Sequence, residues 1–503
     1  MSIEIQGVAP AAVSGTARKT EAREPFRLRK LVAIDERPAA VAFVTTLRGQ
    51  VVLSVVFGVL LASAIPVRIA VVALLAAVAV AHLQPPRREY ALLGGTLACL
   101  FLDPIWLGND EYQQFLEQAL GGSAISARTL QRVLTFAFLA VVATIFVWAA
   151  KRPKSVLARH PVVCLLTLLT LSTLGGLYVL EPGLSQVWLI AAIKIVAAYM
   201  WFVCYGIVDQ RAAKHPPVAF SLGTLRGFWS SFSPPIGKGA AFLARVRCRT
   251  PEELAVSQLK GLKLLVWSFA MFAISHGLKD AMAAFGIADL KAQLASAEHA
   301  SFSPHTHGWT ALAVATAAAA LELAGWSHRA VACLRFAGFR LPRNTCRPLA
   351  SRTIAEFWNR YYYYFKEMLV DFFFYPTFFR CFKKHPRLRV FFATFMAAGV
   401  GNAIFHFFRQ LDLLFTTGVR EATVGFTSYI VYCVILAGAI GVSQARTGVA
   451  AAAAQPATLV DRVKSFVCVW GLVALLHPFG GEEERIYSFH ARLSFLAHHF
   501  GLI

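Results

Sequence analysis

The chain has 503 residues, 57% of them hydrophobic and only 15% charged, with a mean hydropathy of +0.57. Charge this sparse does not cover the surface of a soluble protein of such length, so the composition excludes a string of soluble domains and points to many bilayer spans. The net charge of +22 is spread in short clusters between apolar runs, which excludes a nucleic-acid binder and fits loops that orient spans and attract anionic headgroups or polyanionic ligands.

Residues 1–44 are mostly polar, and the basic stretch from Arg18 to Lys30 leads into a full-length apolar run without a cleavage site. They read as a cytoplasmic tail, disordered or interfacial, and not as a signal peptide. Residues 45–503 form one transmembrane domain. Apolar stretches of spanning length lie near 45–65, 67–84, 89–107, 131–150, 160–180, 186–208, 262–285, 308–326, 388–410, 424–445 and 462–480. The expected fold is therefore an all-α polytopic helical bundle of about eleven spans. With the N-terminus inside, the loops Pro85-Pro86-Arg87-Arg88, Lys151-Arg152-Pro153-Lys154, Asp209 to Arg249, Ser327 to Arg389 and Ser443 to Lys464 are all basic or carry basic clusters. Asn109-Asp110-Glu111, Glu181-Pro182-Gly183, Ser296 to His307 and Gly480-Gly481-Glu482-Glu483-Glu484 fall outside and are acidic or poor in Lys and Arg. The alternation is self-consistent.

Two inside segments are too long for simple connections. His215 to Lys263 holds Trp229, Pro234-Pro235 and an amphipathic stretch from Pro251 to Lys260, and reads as interfacial or re-entrant. Ser327 to Arg389 sets Tyr361 to Tyr364 and Phe372 to Tyr375 around an apolar run too short to span. Such backbone lies either in an interfacial aromatic belt or at membrane depth, where protein must shield it around a cavity or tunnel.

The chemistry concentrates there and in the next span. His406 ends Gly399-Val400-Gly401-Asn402-Ala403-Ile404-Phe405-His406, and an ionisable group inside a span marks function or one satisfied interhelical hydrogen bond. Ala397, Ala398, Gly399, Gly401 and Ala403 allow close approach of neighbouring backbones. Upstream, Glu356, Asn359, Arg360, Lys366, Glu367 and Asp371 stand among aromatics, where polar groups bond one another or line a wet cavity. Lys194 and Glu322 read as snorkelling or as members of one buried pair, with lining of a tunnel as the alternative. His299, His305, His307, His498 and His499 lack metal-site spacing and read as solvated, and the nine cysteines include no CxxC pair, so no metal site or disulfide framework is expected.

Taken together, these stretches resemble the membrane-bound O-acyltransferases, most closely the bacterial branch of alginate O-acetyltransferases and the D-alanyl transferases of teichoic acids. The matching run is Gly325-Trp326-Ser327, Leu334 to Pro342, Arg347-Pro348-Leu349-Ala350, Ser351 to Arg360 and Asp371-Phe372-Phe373-Phe374-Tyr375-Pro376. Downstream, Asn402 to His406 falls where the family has its histidine; upstream, Ser233-Pro234-Pro235-Ile236 and Leu259 to Leu278 are similar to its proline loop and following helix. The resemblance covers about 220–445 and is strongest over 325–406.

It implies an enzyme in the bacterial cytoplasmic membrane in which His406 acts as general base on an acceptor hydroxyl and Asn359 positions the reactants. Trp358, Arg360, Tyr362, Asp371 and Asn402 are the implied substrate-binding residues. The donor would be acyl-CoA or an acyl-carrier thioester, with no tightly bound cofactor. The acceptor would be a glycan or a lipid, with an extracytoplasmic or carrier-protein partner conceivable. Trp358-Asn359 matches the branches that act on lipids, sterol-like alcohols and peptides. Tyr362 stands where the polysaccharide branch has histidine, Phe407 where it has a small residue, and His328 where it often has an acid. The rival readings are a non-catalytic member of the family and a transporter, though neither inverted repeats nor paired broken helices are evident in the sequence.

Overall fold

The computed structural model describes residues 33–103, 114, 116–118, 120–121, 126–181, 183–225, 235–299, 307–446, 458–480 and 487–502. The tail before Ala33, Asn109-Asp110-Glu111, Pro182, Trp229, Ser233-Pro234, His305 and Gly481 to Glu484, all singled out above, lie outside these residues. The fold is all-α; among the described residues there is no sheet, only an isolated bridge between Arg247 and Phe339.

The principal helices are α1 Leu47–Ala64, α2 Val67–His82, α3 Arg87–Leu102, α4 Ala127–Lys151, α5 Pro161–Tyr178, α6 Leu184–Gln210, α7 Pro251–Ala284, α8 Gly308–Phe336, α9 Ile354–Tyr361, α10 Tyr363–Leu369, α11 Pro386–Phe395, α12 Asn402–Arg409, α13 Val419–Arg446 and α14 Leu459–Gly480. Each apolar run named above falls on one of them over its described residues, except 388–410, which is divided between α11 and α12 by the turn Met396–Gly401. Among the described residues, eight helices are long and apolar enough to cross a membrane: α1, α4 to α8, the continuous Pro386–Arg409 and Val419–Ala445. The protein is a multi-pass integral membrane protein. Helices α2 and α3 have only 16 residues each, about 24 Å at 1.5 Å per residue against a hydrocarbon core of about 30 Å. Helix α14 spends its first turns on Asp461, Arg462 and Lys464.

Local sequence fixes several helix starts. Thr250 accepts from the Glu253 backbone N–H at 3.2 Å, Pro251 occupies the first turn, and Glu253 Oε2 accepts from the Arg249 backbone N–H at 2.8 Å. Thr353 and Glu356 repeat that arrangement at the start of α9. These contacts satisfy backbone donors that a helix start leaves without partners.

Burial separates lipid-facing helices from the hub. In α1, 22% of the apolar window is buried; in α6 the share is 72%. Trp201 of α6 is fully buried and meets Phe372, Phe373 and Phe405 with ring centroids 5.9–6.1 Å apart. Two large cores flank the 354–378 segment, one built on α4, α5 and α6 and the other on α1, α2, α7 and α8. Tyr364 belongs to the second and Phe365 to the first, so α10 forms the seam between them.

Candidate functional site

Two interrupted helices meet at this seam. Helix α9 ends at Tyr362, whose φ of −139° and ψ of 68° are not helical, and α10 starts directly after it. Helix α10 then widens into a π-helical turn, Val370–Phe374. The span that carries His406 widens likewise at Met396–Gly401, between α11 and α12. Such turns are rare and occur frequently at functional sites. The glycines explain how the two turns pack together. A Cβ on Gly401 would stand 2.7 Å from the Phe373 ring, and one on Gly399 would stand 3.1 Å from Ala437 Cβ.

A cavity of about 180 Å³ lies where the two π-turns meet α9 and α13. Its polar lining includes Asn359, Lys366, Thr394, Asn402 and Gln444, and Trp358, Ala398 and Leu436 are among its apolar walls. Thr394 donates to Gln444 Oε1 at 2.5 Å, tying α11 to α13. Trp358 Nε1 is buried without a hydrogen-bond partner among the described residues. Asn359 is exposed, so it lies at the accessible side of the cavity lining.

His406 is half-buried and does not line the cavity directly. It follows Asn402 by one helical turn on the same face. Its ring lies among aromatics, with centroids 4.6 Å from Tyr429, 5.0 Å from Phe405 and 6.0 Å from Phe365. The Tyr429 hydroxyl donates to Asn402 Oδ1 at 3.1 Å. Tyr429 thus touches both the histidine and a cavity-lining amide.

The other expected residues divide. Trp358, Asn359 and Asn402 come together around the cavity; Arg360, Tyr362 and Asp371 do not line it. Arg360 pairs with Glu356 one turn back at 2.7 Å. Tyr362 packs its ring 5.2 Å from Phe365. Asp371 faces the opposite side of its π-turn, where it accepts from the Tyr205 hydroxyl at 2.7 Å and pairs with Lys238 at 2.9 Å. Lys238 also pairs with Glu367 at 2.9 Å, and Glu367 pairs with Lys366. Burial works against ionisation at Glu367, but Lys366 and Lys238 outweigh it and hold the carboxyl below its usual range. At Lys238 burial is outweighed in the same way by Asp371 and Glu367, which raise the ammonium above its usual value. Lys194 forms a buried pair with Asp412 at 2.5 Å, and Glu322 accepts from both Lys279 and Ser275 at 2.7 Å.

Tyr429, Gln444 and Lys238 are the residues that sequence reasoning did not single out. Tyr429 and Gln444 are polar groups within an otherwise apolar helix, the signal that drew attention to His406. Lys238 sits between two glycines, a local cue to unusual backbone. Among the described residues no three His, Cys, Asp or Glu side chains gather as a metal site requires. No protein-family model matches the sequence, and no curated protein is detectably similar to it.

Proposed function

We propose that this protein is a membrane-bound O-acyltransferase of the bacterial cytoplasmic membrane, with its N-terminus in the cytoplasm and its acyltransferase core at about 220–445. The observation that carries the reading is the cavity. It gathers Trp358, Asn359 and Asn402 from two stretches far apart in sequence, with His406 one turn beyond Asn402. These are residues that the family resemblance selects, and cavity lining is what it requires of a substrate-binding group.

In the proposed reaction, the His406 imidazole takes the proton of an acceptor hydroxyl. The oxygen attacks the carbonyl carbon of an acyl thioester, the carbon–sulfur bond breaks, and the departing thiolate receives the proton from the imidazolium. The products are an ester and a free thiol, with no redox change. The side-chain amide of Asn359 and the indole N–H of Trp358 are donors suited to the negative charge that develops on the carbonyl oxygen. The aromatic surroundings of His406 exclude water, which would otherwise compete as acceptor. Basic residues of the 327–389 segment suit the phosphates of coenzyme A, and an acyl-carrier protein is the other donor. The acceptor is a hydroxyl of a glycan or a lipid.

Purified protein in lipid nanodiscs, given labelled acyl-CoA and an acceptor series of glycans and lipid alcohols, tests the reading. Ester formation is expected in the wild type and its loss in His406→Ala. Undiminished turnover in His406→Ala removes the histidine from the mechanism. A wild type inert with every donor favours a non-catalytic role or transport.

A further inference from the structure

The connection between α6 and α7 carries a backbone feature that the reaction scheme leaves unused. Gly237, Lys238 and Gly239 are consecutive residues in the left-handed region, with φ of 100°, 53° and 101°. Glycine adopts this conformation at little cost, but a lysine there is uncommon and is held by its surroundings. The Lys238 side chain is only 17% exposed, and its ammonium bridges Glu367 and Asp371 at 2.9 Å each.

Those carboxylates lie four residues apart, one before the π-turn Val370–Phe374 and one within it. Their neighbours Lys366, Leu369, Val370 and Phe374 line the cavity. Two further contacts fix the loop and the turn to α6. The Tyr205 hydroxyl donates to Asp371 at 2.7 Å, and Asp209 Oδ2 accepts from the Ala241 backbone N–H at 3.0 Å. A Cβ on Gly239 would stand 2.7 Å from that same Asp209 oxygen, so this approach requires glycine.

We propose that Lys238 is a positioning residue: its ammonium clamps Glu367 and Asp371 from outside and thereby holds the π-turn that forms one wall of the candidate acyl-transfer cavity. The inference deepens the acyltransferase reading and rests on it for the kinetic effect alone. Its structural content stands without any reaction. An ion clamp across a widened turn selects one backbone arrangement, and the cavity wall follows the backbone.

The test uses full-length protein in nanodiscs and two independent readouts. First, Ala398→Cys on the opposite cavity wall reports access through its maleimide labelling rate, read by peptide mass spectrometry so that the native cysteines do not interfere. Lys238→Met is expected to change that rate severalfold, and Lys238→Arg to return it toward the wild-type value. Second, turnover separates positioning from binding: Lys238→Met lowers kcat by up to about a hundredfold, as a misplacement of roughly 1 Å does, with KM little changed. Lys238→Met leaves the half-buried Asp371 carboxylate without a cation and Glu367 with Lys366 alone, so the variant Lys238→Met/Asp371→Asn, which keeps the Glu367–Lys366 pair, provides a neutral cluster that folds without the clamp. The altered labelling rate is expected to persist in it. Wild-type labelling in both the single and the double variant overturns the clamp, as does a KM effect without a kcat effect. Absence of turnover in the wild type counts against the acyltransferase reading and leaves the labelling result to decide the clamp.

Discussion

The α7–α8 hairpin and the 354–446 region differ in how they use the membrane. In the hairpin, two helices of 34 and 29 residues run unbroken side by side. Its Lys279–Glu322 pair joins the two helices on a partly exposed face. Across 354–416 the helices are short or widened before the unbroken 28-residue α13, and Gly401 stands where the Phe373 ring presses against the backbone. The polar groups there, such as Asn402 and Thr394, are buried and bond between helices or line a cavity. Helical regularity minimises exposed backbone polarity in a bilayer, so departures from it persist only where surrounding protein shields them. The contrast marks the hairpin as scaffold and the 354–446 region as the one whose irregular backbone the proposed reaction would use.

Substitutions sharpen this contrast, and their expected effects fall in a definite order. Lys194→Met, beside the His406 span, strands the buried Asp412 carboxylate and is expected to destabilise the protein by about 3–5 kcal/mol in reversible unfolding. A smaller loss would place the pair in contact with water. Gly401→Ala drives a methyl group into the Phe373 ring and is expected to cost about 1–3 kcal/mol. At Gly277, on the open face of the hairpin, the same change has the opposite sign: a Cβ there meets nothing within 4 Å, so Gly277→Ala stabilises by about 0.5–1 kcal/mol, whereas a Cβ on Gly325 of the same hairpin would meet the Phe272 ring at 2.6 Å. Equal effects at Gly401 and Gly277 would contradict the difference in packing between these two positions. Lys279→Met, at a lysine 50% exposed, is expected to change stability by at most about 1 kcal/mol.

The ion clamp adds a pH prediction. Glu367 is held below its ordinary value of 4.5, so its contribution is present above that value and is lost only as pH falls through the lower folded one. Lys238 is raised above 10.5, so its contribution is complete below that value and is lost as pH rises through the higher folded one. The stability difference between wild type and Lys238→Met should therefore stay constant from about pH 5 to about pH 9. Thermal unfolding across that window checks it, and a slope within the window contradicts the pairing.

Apolar runs of spanning length located the helices, because chain-wide hydropathy is set by the bilayer and needs no knowledge of contacts. The cost of an intramembrane histidine drew attention to His406, and the resemblance selected Asn359 and Trp358. Three features were beyond reach. A π-turn adds one residue to a helical turn, a shift too small for hydrophobic periodicity to register across 370–374 or 396–401. Lys238 meets Glu367 across 129 residues and Tyr429 meets Asn402 across 27, so neither contact has a local signature. Arg360 was the reverse case: expected near substrate, it is occupied by Glu356 one turn away, an ordinary helical pairing.

The central claim is that the cavity beside His406 transfers acyl groups. Its most direct test is single-turnover ester formation from labelled acyl-CoA in nanodiscs, comparing wild type with His406→Ala at matched thermal stability. A fall of about 10²–10⁴-fold is expected in the variant, the range of a lost general base. Equal rates in the two proteins would contradict it.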